Sequence, residues 1–342
     1  VAGIDLYILD APHLLDRPGT SYLDDEGFDF CVNPERFAAL CWVAADIAVN
    51  GIDGWTPELV LCHDWQAGLA PYYVAKRGRP VPTIITIHNI AFQGIAPAAR
   101  IDALRLDAAD FHAGGLEYWG QVSALKAGLV YADKITTVSP TYARELTTHE
   151  FGMGMEGLLS ARHADLSGIL NGIDLDVWNP ATDPEIATFK TARGKSRAKT
   201  RLLKEFGLPK TDGPLAAVIS RLSHQKGLDL LLEALPALLD RGGQLVLLGS
   251  GDKGLERAFA DAARHPNVAV RIGYDEALSH RMMAGADAIL VPSRFEPCGL
   301  TQLYGLRYGT IPVVAMTGGL VDTVINASPM ALRSGVATGL QF

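Results

Sequence analysis

Arg221 and Lys226 flank a short loop, Ser220-Arg221-Leu222-Ser223-His224-Gln225-Lys226-Gly227, that follows a strand-like run and opens a helical pattern. Cations placed there add formal charge to the helix dipole and to free backbone N–H groups, so the pair can hold a diphosphate from both sides. The same residues also fit a solvated basic loop. The stretch Ser293-Arg294-Phe295-Glu296-Pro297-Cys298-Gly299-Leu300-Thr301-Gln302 again joins a strand to a helix. Backbone N–H groups around Gly299 to Thr301 can meet a phosphate, with Glu296 one step before them. A carboxylate beside a phosphate makes chemical sense if it accepts hydrogen bonds from sugar hydroxyls or offsets positive charge at an anomeric carbon. The plainer alternative is that Glu296 pairs with Arg294. Thr317-Gly318-Gly319-Leu320 supplies a third glycine turn after a strand, placed to face a phosphate.

Other strand ends carry weaker signals. Gly249-Ser250-Gly251-Asp252-Lys253-Gly254 matches the G-x-G-x-x-G dinucleotide fingerprint, with Asp275 and Glu276 about 20 residues on. It follows the second strand of its half, however, whereas that fingerprint belongs at the first strand-helix turn. A tight turn with Asp252 as N-cap is the competing reading. In the first half, His63-Asp64-Trp65 and His88-Asn89-Ile90 each end a strand-like run, and Asp10 and His13 follow another. No two histidines share a helical face and no H-E-x-x-H occurs, so no metal ligand set is expected. Asp174-Leu175-Asp176 resembles the D-x-D of metal-dependent sugar transferases, but downstream of Asn171-Gly172 it reads as turn chemistry.

Short apolar runs alternate with helix-period stretches almost from end to end, which implies strand-helix-strand units and parallel sheets covered on both faces. Strands are expected at Ile4 to Leu9, Leu59 to Cys62, Thr83 to Ile87 and Ile135 to Val138, with a helix starting at Ser139-Pro140. A second series is expected at Leu215 to Ile219, Gln244 to Leu248, Val268 to Ile272, Ala288 to Val291 and Ile311 to Val314, with a helix over Leu228 to Leu239. Between them, from Asp174 to Gly213, the pattern weakens into Asn179-Pro180, Asp183-Pro184 and Arg193-Gly194-Lys195-Ser196-Arg197. That stretch is the expected crossover, although Thr200 to Phe206 still fits a helix. The resulting picture is α/β: two Rossmann-like doubly wound domains facing across a cleft, over residues 1–176 and 177–342, with ligands at the carboxyl ends of the strands.

The 342 residues suit two domains. A composition of 48% hydrophobic and 20% charged residues describes a folded globular chain. The formal net charge of −8 argues against a nucleic-acid or anionic-membrane partner. No apolar stretch reaches the roughly 18 residues of a membrane span, and no signal peptide opens the chain, so a soluble cytoplasmic protein is expected. The scattered cysteines Cys31, Cys41, Cys62 and Cys298 read as reduced thiols. Neither a G-x-S-x-G elbow nor a Walker A loop is present.

Taken together, the strand ends resemble the bacterial glycogen synthases, ADP-glucose-dependent retaining glucosyltransferases of the starch/glycogen synthase family with a GT-B fold. The matching stretches are Asp10 to His13, His63 to Gly68, His88-Asn89, Ser139 to Ala143, Leu170 to Asp174, Ser220 to Leu228, Pro292 to Gly305 and Thr317 to Leu320. They run in the family's order across essentially the whole chain, and Pro292 to Gly305 is highly specific. The resemblance implies transfer of glucose from ADP-glucose to the non-reducing end of an α-1,4-glucan with retention, without cofactor or metal. It implies that Arg221 and Lys226 bind the donor diphosphate, that Glu296 contacts the glucose, and that Cys298, Gly299, Leu300 and Thr301, with Gly318 and Gly319, meet the sugar and phosphates. Tyr274 would lie near the adenine, His88 and Asp64 would line the glucosyl site, and Asn171 the catalytic cleft. Residues 1–176 become the acceptor side and 177–342 the nucleotide-sugar side. The family's first strand, with its Lys-x-Gly-Gly loop, would precede Val1, and its C-terminal segment would follow Phe342. The competing functions are a non-catalytic glucan or nucleotide-sugar binding module and a nicotinamide-dependent oxidoreductase.

Overall fold

The computed structural model describes residues 3–78 and 81–342. The chain divides into two compact units, one of residues 1–138 and 143–168, the other of residues 139–142 and 169–342.

The first unit contains seven strands: β1 (Val60–His63), β2 (Thr83–Ile87), β3 (Ile95–Pro97), β4 (Glu117–Tyr118), β5 (Gln121–Ser123), β6 (Lys134–Thr137) and β7 (Leu166–Gly168). β1, β2, β6 and β7 form a parallel sheet in that order. In β2 the alternate residues Thr83, Ile85 and Ile87 are buried, the period-2 signature of a strand packed on one face. β3, β5 and β4 form a small antiparallel sheet. It was not expected, because its two- and three-residue strands are too short to leave a periodic signal. Ser139 opens the helix Pro140–Glu145 as expected, its Oγ accepting from the Tyr142 N–H at 2.8 Å.

The strand expected at Ile4 to Leu9 is absent. Those residues have no regular secondary structure, and Ile4, Leu6 and Ile8 are 73, 66 and 80% exposed. Alternating apolar residues make a strand only where a neighbour supplies ladder hydrogen bonds and a core.

The second unit is built on a six-stranded parallel sheet of β8 (Leu215–Ile219), β9 (Gln244–Gly249), β10 (Val268–Ile272), β11 (Ala288–Val291), β12 (Ile311–Val314) and β13 (Leu340–Gln341). Its strand order is β10-β9-β8-β11-β12-β13. Both faces are covered, as a parallel sheet requires. Ala216, Val218, Leu245 and Leu247 pack with Leu228, Leu231 and Leu235 of the helix Leu228–Leu239. The alternate residues Leu215, Ala217, Val246 and Leu248 pack on the other side with Leu202, Leu278 and Met282. The segment read as a weak crossover holds a 15-residue helix, Ala192–Phe206, that takes in the whole charged run. Gly194 and six basic residues hid it, but Ala198, Leu202 and Leu203 fall on one face and are buried.

Candidate active site

The strand order of the second unit reverses between β8 and β11, the point at which a doubly wound sheet leaves a crevice at its carboxyl ends. A cavity of about 300 Å³ opens there. Ile219, Ser220 and Lys226 line it from the β8 side, and Ser293, Glu296 and Gly299 to Thr301 from the β11 side. A second cavity of about 370 Å³ shares Ile219, Ser220 and Thr301 and continues past Arg221 to Tyr274, Trp178 and Tyr304.

Gly227 brings the two loops together. Its φ is +63°, and a Cβ there would run into the Pro292 carbonyl oxygen, so only glycine lets the backbone after β8 approach the backbone after β11 this closely. Arg294 fastens the contact. Its guanidinium grips Asp229 with two bonds of 2.7 and 2.6 Å, and its Nη1 also donates to the His224 carbonyl at 2.9 Å. This charge-assisted pair holds the Asp229 carboxyl down to about 2. Arg294 therefore does not pair with Glu296.

Glu296 pairs with Lys226 instead, Nζ to Oε2 at 2.6 Å, with the Ser293 hydroxyl donating to the same oxygen at 2.9 Å. The carboxylate is 6% exposed and the lysine half-buried. Arg221 is exposed and makes no ion pair among the described residues. Ligand-free, one cation of the expected clamp is open to solvent and the other rests on the acidic residue of the same cavity.

Leu300 and Thr301 begin the helix Thr301–Tyr308 at the cavity wall. Cys298 is buried, which raises its thiol pKa, and N–H groups of Asn171 donate to its sulfur. Asn171 also lines a shallow hollow with Leu303 and Arg307. Gly318 and Gly319 are packed against the 296–298 backbone, where a Cβ on Gly318 would strike the Glu296 carbonyl oxygen. The Gly319 N–H is used up on that carbonyl, at 3.1 Å. These glycines support the Glu296 loop. Tyr274 is 86% exposed at the mouth of the second cavity. Trp178 stacks on Tyr304 with ring centroids 3.7 Å apart and on His280 at 3.9 Å. Sequence reasoning missed Trp178 and Tyr304, whose aromatic signal is shared by any core residue.

The G-x-G-x-x-G run resolves into a turn and a cap: Asp252 Oδ1 accepts from the Gly254 and Leu255 N–H groups at 2.8 and 2.9 Å. Asp174 likewise accepts from Asp176 and Val177, which lowers its pKa, chiefly through the Val177 N–H. Gly249 and Ser250 of the first run also line the second cavity.

In the first unit, β1 and β2 end side by side, with His63 registered against Thr86. This brings His63 Nδ1 within 2.9 Å of His88 Nε2. Asp64 sits at φ +52°, unusual for a non-glycine residue, and its Oδ1 accepts from the His88 N–H at 2.7 Å. Burial raises the Asp64 carboxyl pKa, against the lowering effect of that hydrogen bond, and burial together with His88 lowers the His63 pKa. The direct contact between the histidines is new information, since nothing in two separate His-x-x runs tells which ring nitrogens meet. Asp10 and His13 are exposed, the latter in the short helix Pro12–Leu15.

Comparison with known proteins decides the family. Residues 1–161 match the family described as the starch synthase catalytic domain, and residues 200–337 match glycosyl transferases group 1. A glycogen synthase of Paracoccus denitrificans (strain Pd 1222) is 65% identical, covering 98% of this chain and 71% of its own length. The chain belongs to the glycogen synthase family. A second glycogen synthase, from Jannaschia sp. (strain CCS1), is 61% identical over 99% of the chain and 72% of that relative. Among solved structures, the catalytic domain of starch synthase IV from Arabidopsis thaliana, bound to ADP and acarbose, superposes with a TM-score of 0.86 at 33% identity, over 97% of this chain and 70% of that one. Anabaena Alr3699/HepE, at 16% identity and a TM-score of 0.55, shares the fold. This glycogen synthase family chain is thus a glycosyltransferase of the GT-B fold. Among its described residues, no helix is long and apolar enough to cross a membrane, and no cluster of three or more His, Cys, Asp or Glu side chains is arranged to hold a metal ion.

Proposed function

We propose that this chain transfers glucose from ADP-glucose to the non-reducing end of an α-1,4-glucan, with retention of configuration. The observation that carries the reading is the Lys226–Glu296 pair in the cavity between β8 and β11, with Arg221 open beside it. A lysine resting on a carboxylate can turn to a diphosphate without being desolvated afresh. Its release leaves Glu296 free to accept hydrogen bonds from the glucose. Arg221 and Lys226 together neutralise the departing ADP, and this cationic stabilisation of the leaving group is the main catalytic term. The adenine occupies the second cavity beside Tyr274, with the Trp178–Tyr304 stack as its wall. Gly299, Leu300 and Thr301 offer backbone N–H groups at the start of their helix, and Cys298 and Asn171 border the glucose. Gly318 and Gly319 act through the Glu296 backbone they buttress.

Glu296 is held by Ser293 and turned to the glucose hydroxyls, so the reading gives it no nucleophile's part. The glucan hydroxyl enters on the face that ADP leaves. In this reading residues 1–176 serve the acceptor and 177–342 the donor. The resemblance to an ADP-bound starch synthase supports ADP over UDP. Four free thiols fit a cytoplasmic enzyme.

Crystals soaked with ADP test the clamp: the diphosphate is expected within hydrogen-bond reach of Arg221 and Lys226, and nucleotide bound elsewhere removes it. Transfer of radiolabelled glucose from ADP-glucose, but far less from UDP-glucose, to glycogen tests the reaction. Binding without transfer would reduce the protein to a binding module.

A further inference from the structure

Within the cavity wall, the arrangement around Glu296 is asymmetric. Oε2 accepts from Lys226 at 2.6 Å and from the Ser293 hydroxyl at 2.9 Å, while no hydrogen bond reaches Oε1 among the described residues. Ser293 is 2% exposed, and its Oγ–H is directed at this one acceptor. The serine is itself fixed, because it lies between Pro292, which Gly227 packs against, and Arg294, which is bound to Asp229.

A buried carboxylate needs donors, and one whose only partner is a lysine loses it when that lysine moves to another anion. We propose that Ser293 is a positioning residue for the transfer reaction, keeping a donor on Oε2 when Lys226 engages a phosphate and so holding Oε1 toward the ligand. The proposal rests on the donor reading above for its catalytic consequence, but not for its geometric one. A hydroxyl that merely satisfies a turn would have been directed at a nearby backbone carbonyl. This one is directed at the acid that lines the cavity, three residues on in the same loop.

The test uses Ser293→Ala and Ser293→Thr in the purified enzyme. For Ser293→Ala, kcat is expected to fall about ten-fold, with the KM for ADP-glucose within two-fold of wild type and the melting temperature unchanged. Ser293→Thr, which restores the hydroxyl, is expected to recover kcat to within three-fold. In a Glu296→Gln background the alanine change is expected to cost nothing further, since its effect runs through the carboxylate. An unchanged kcat, or an equal loss in both backgrounds, overturns the proposal. A crystal structure of Ser293→Ala gives an answer independent of turnover. With ADP bound so that Lys226 is drawn to the diphosphate, the carboxylate is expected to rotate from its wild-type orientation, and an undisturbed Glu296 sinks the idea. If the wild-type enzyme transfers nothing from ADP-glucose, the donor reading falls while this structural comparison still decides the role of Ser293.

Discussion

At the scale of single residues, chemistry was legible in type and spacing, but partnership was not. Arg221, Lys226 and Glu296 stand out because charged groups at the carboxyl ends of parallel strands are poised for ligands. That Glu296 would pair with Lys226, 70 positions away, and Arg294 with Asp229 depends on how two loops meet, which no local pattern records. Sequence proximity favoured Arg294 for Glu296, and the structure assigns it elsewhere. On the proposed mechanism, Lys226→Ala costs about 2–4 kcal/mol of transition-state stabilisation, so kcat/KM should fall about 30- to 1,000-fold. Steady-state kinetics with ADP-glucose checks this, and a near-wild-type value would take the lysine out of the reaction.

Elements divide by how strongly they announce themselves. β8, β10, β11 and β12 coincide with their expected bounds because each is a short, largely apolar run between turn residues. The first half of the helix Ala192–Phe206 and the antiparallel β3-β5-β4 sheet escaped notice, one masked by charge and a glycine, the other by brevity. Two turns make predictions at this scale. Gly227→Ala combines a positive φ with a backbone collision at Pro292, so it should lower stability by on the order of 3 kcal/mol in urea unfolding. It should also weaken ADP binding, through displacement of Lys226. In the β4–β5 hairpin, Trp119 (φ +51°) and Gly120 (φ +79°) are the two central turn residues, and the indole is 80% exposed. Asparagine adopts that conformation more readily than tryptophan, so Trp119→Asn should raise stability by about 1 kcal/mol, read as a higher melting temperature.

For the whole molecule, the buried group that most affects stability lies away from the candidate site. Lys195 Nζ sits among the carbonyl oxygens of Met283, Ala284 and Tyr308 and the hydroxyl of Thr310, at 2.6 to 3.2 Å. It thereby pins the helix Ala192–Phe206 to the ends of two others. Burial lowers its pKa to about 7, against an opposing pull from Asp287. Above that pH the unfolded chain holds a proton that the folded chain has shed, so stability rises with pH from about 7 toward 10.5. Cys41 and Cys62, raised to about 12 by burial, reverse the trend above pH 9, where their thiols ionise only in the unfolded state. Denaturant titrations at pH 7 and 9 should therefore show wild type gaining on the order of 2 kcal/mol relative to Lys195→Met. Equal pH slopes would contradict the assignment. The sequence by itself determined the α/β class, most strands of the second unit, and the presence of charged residues at its strand ends, because these follow from local periodicity and residue chemistry. Tertiary structure alone decided that no strand forms over residues 4–9, that Lys226 and Ser293 share one carboxylate oxygen, and that His63 meets His88. Each of these depends on distant segments being brought within hydrogen-bond range, a distance that the order of residues along a chain does not encode.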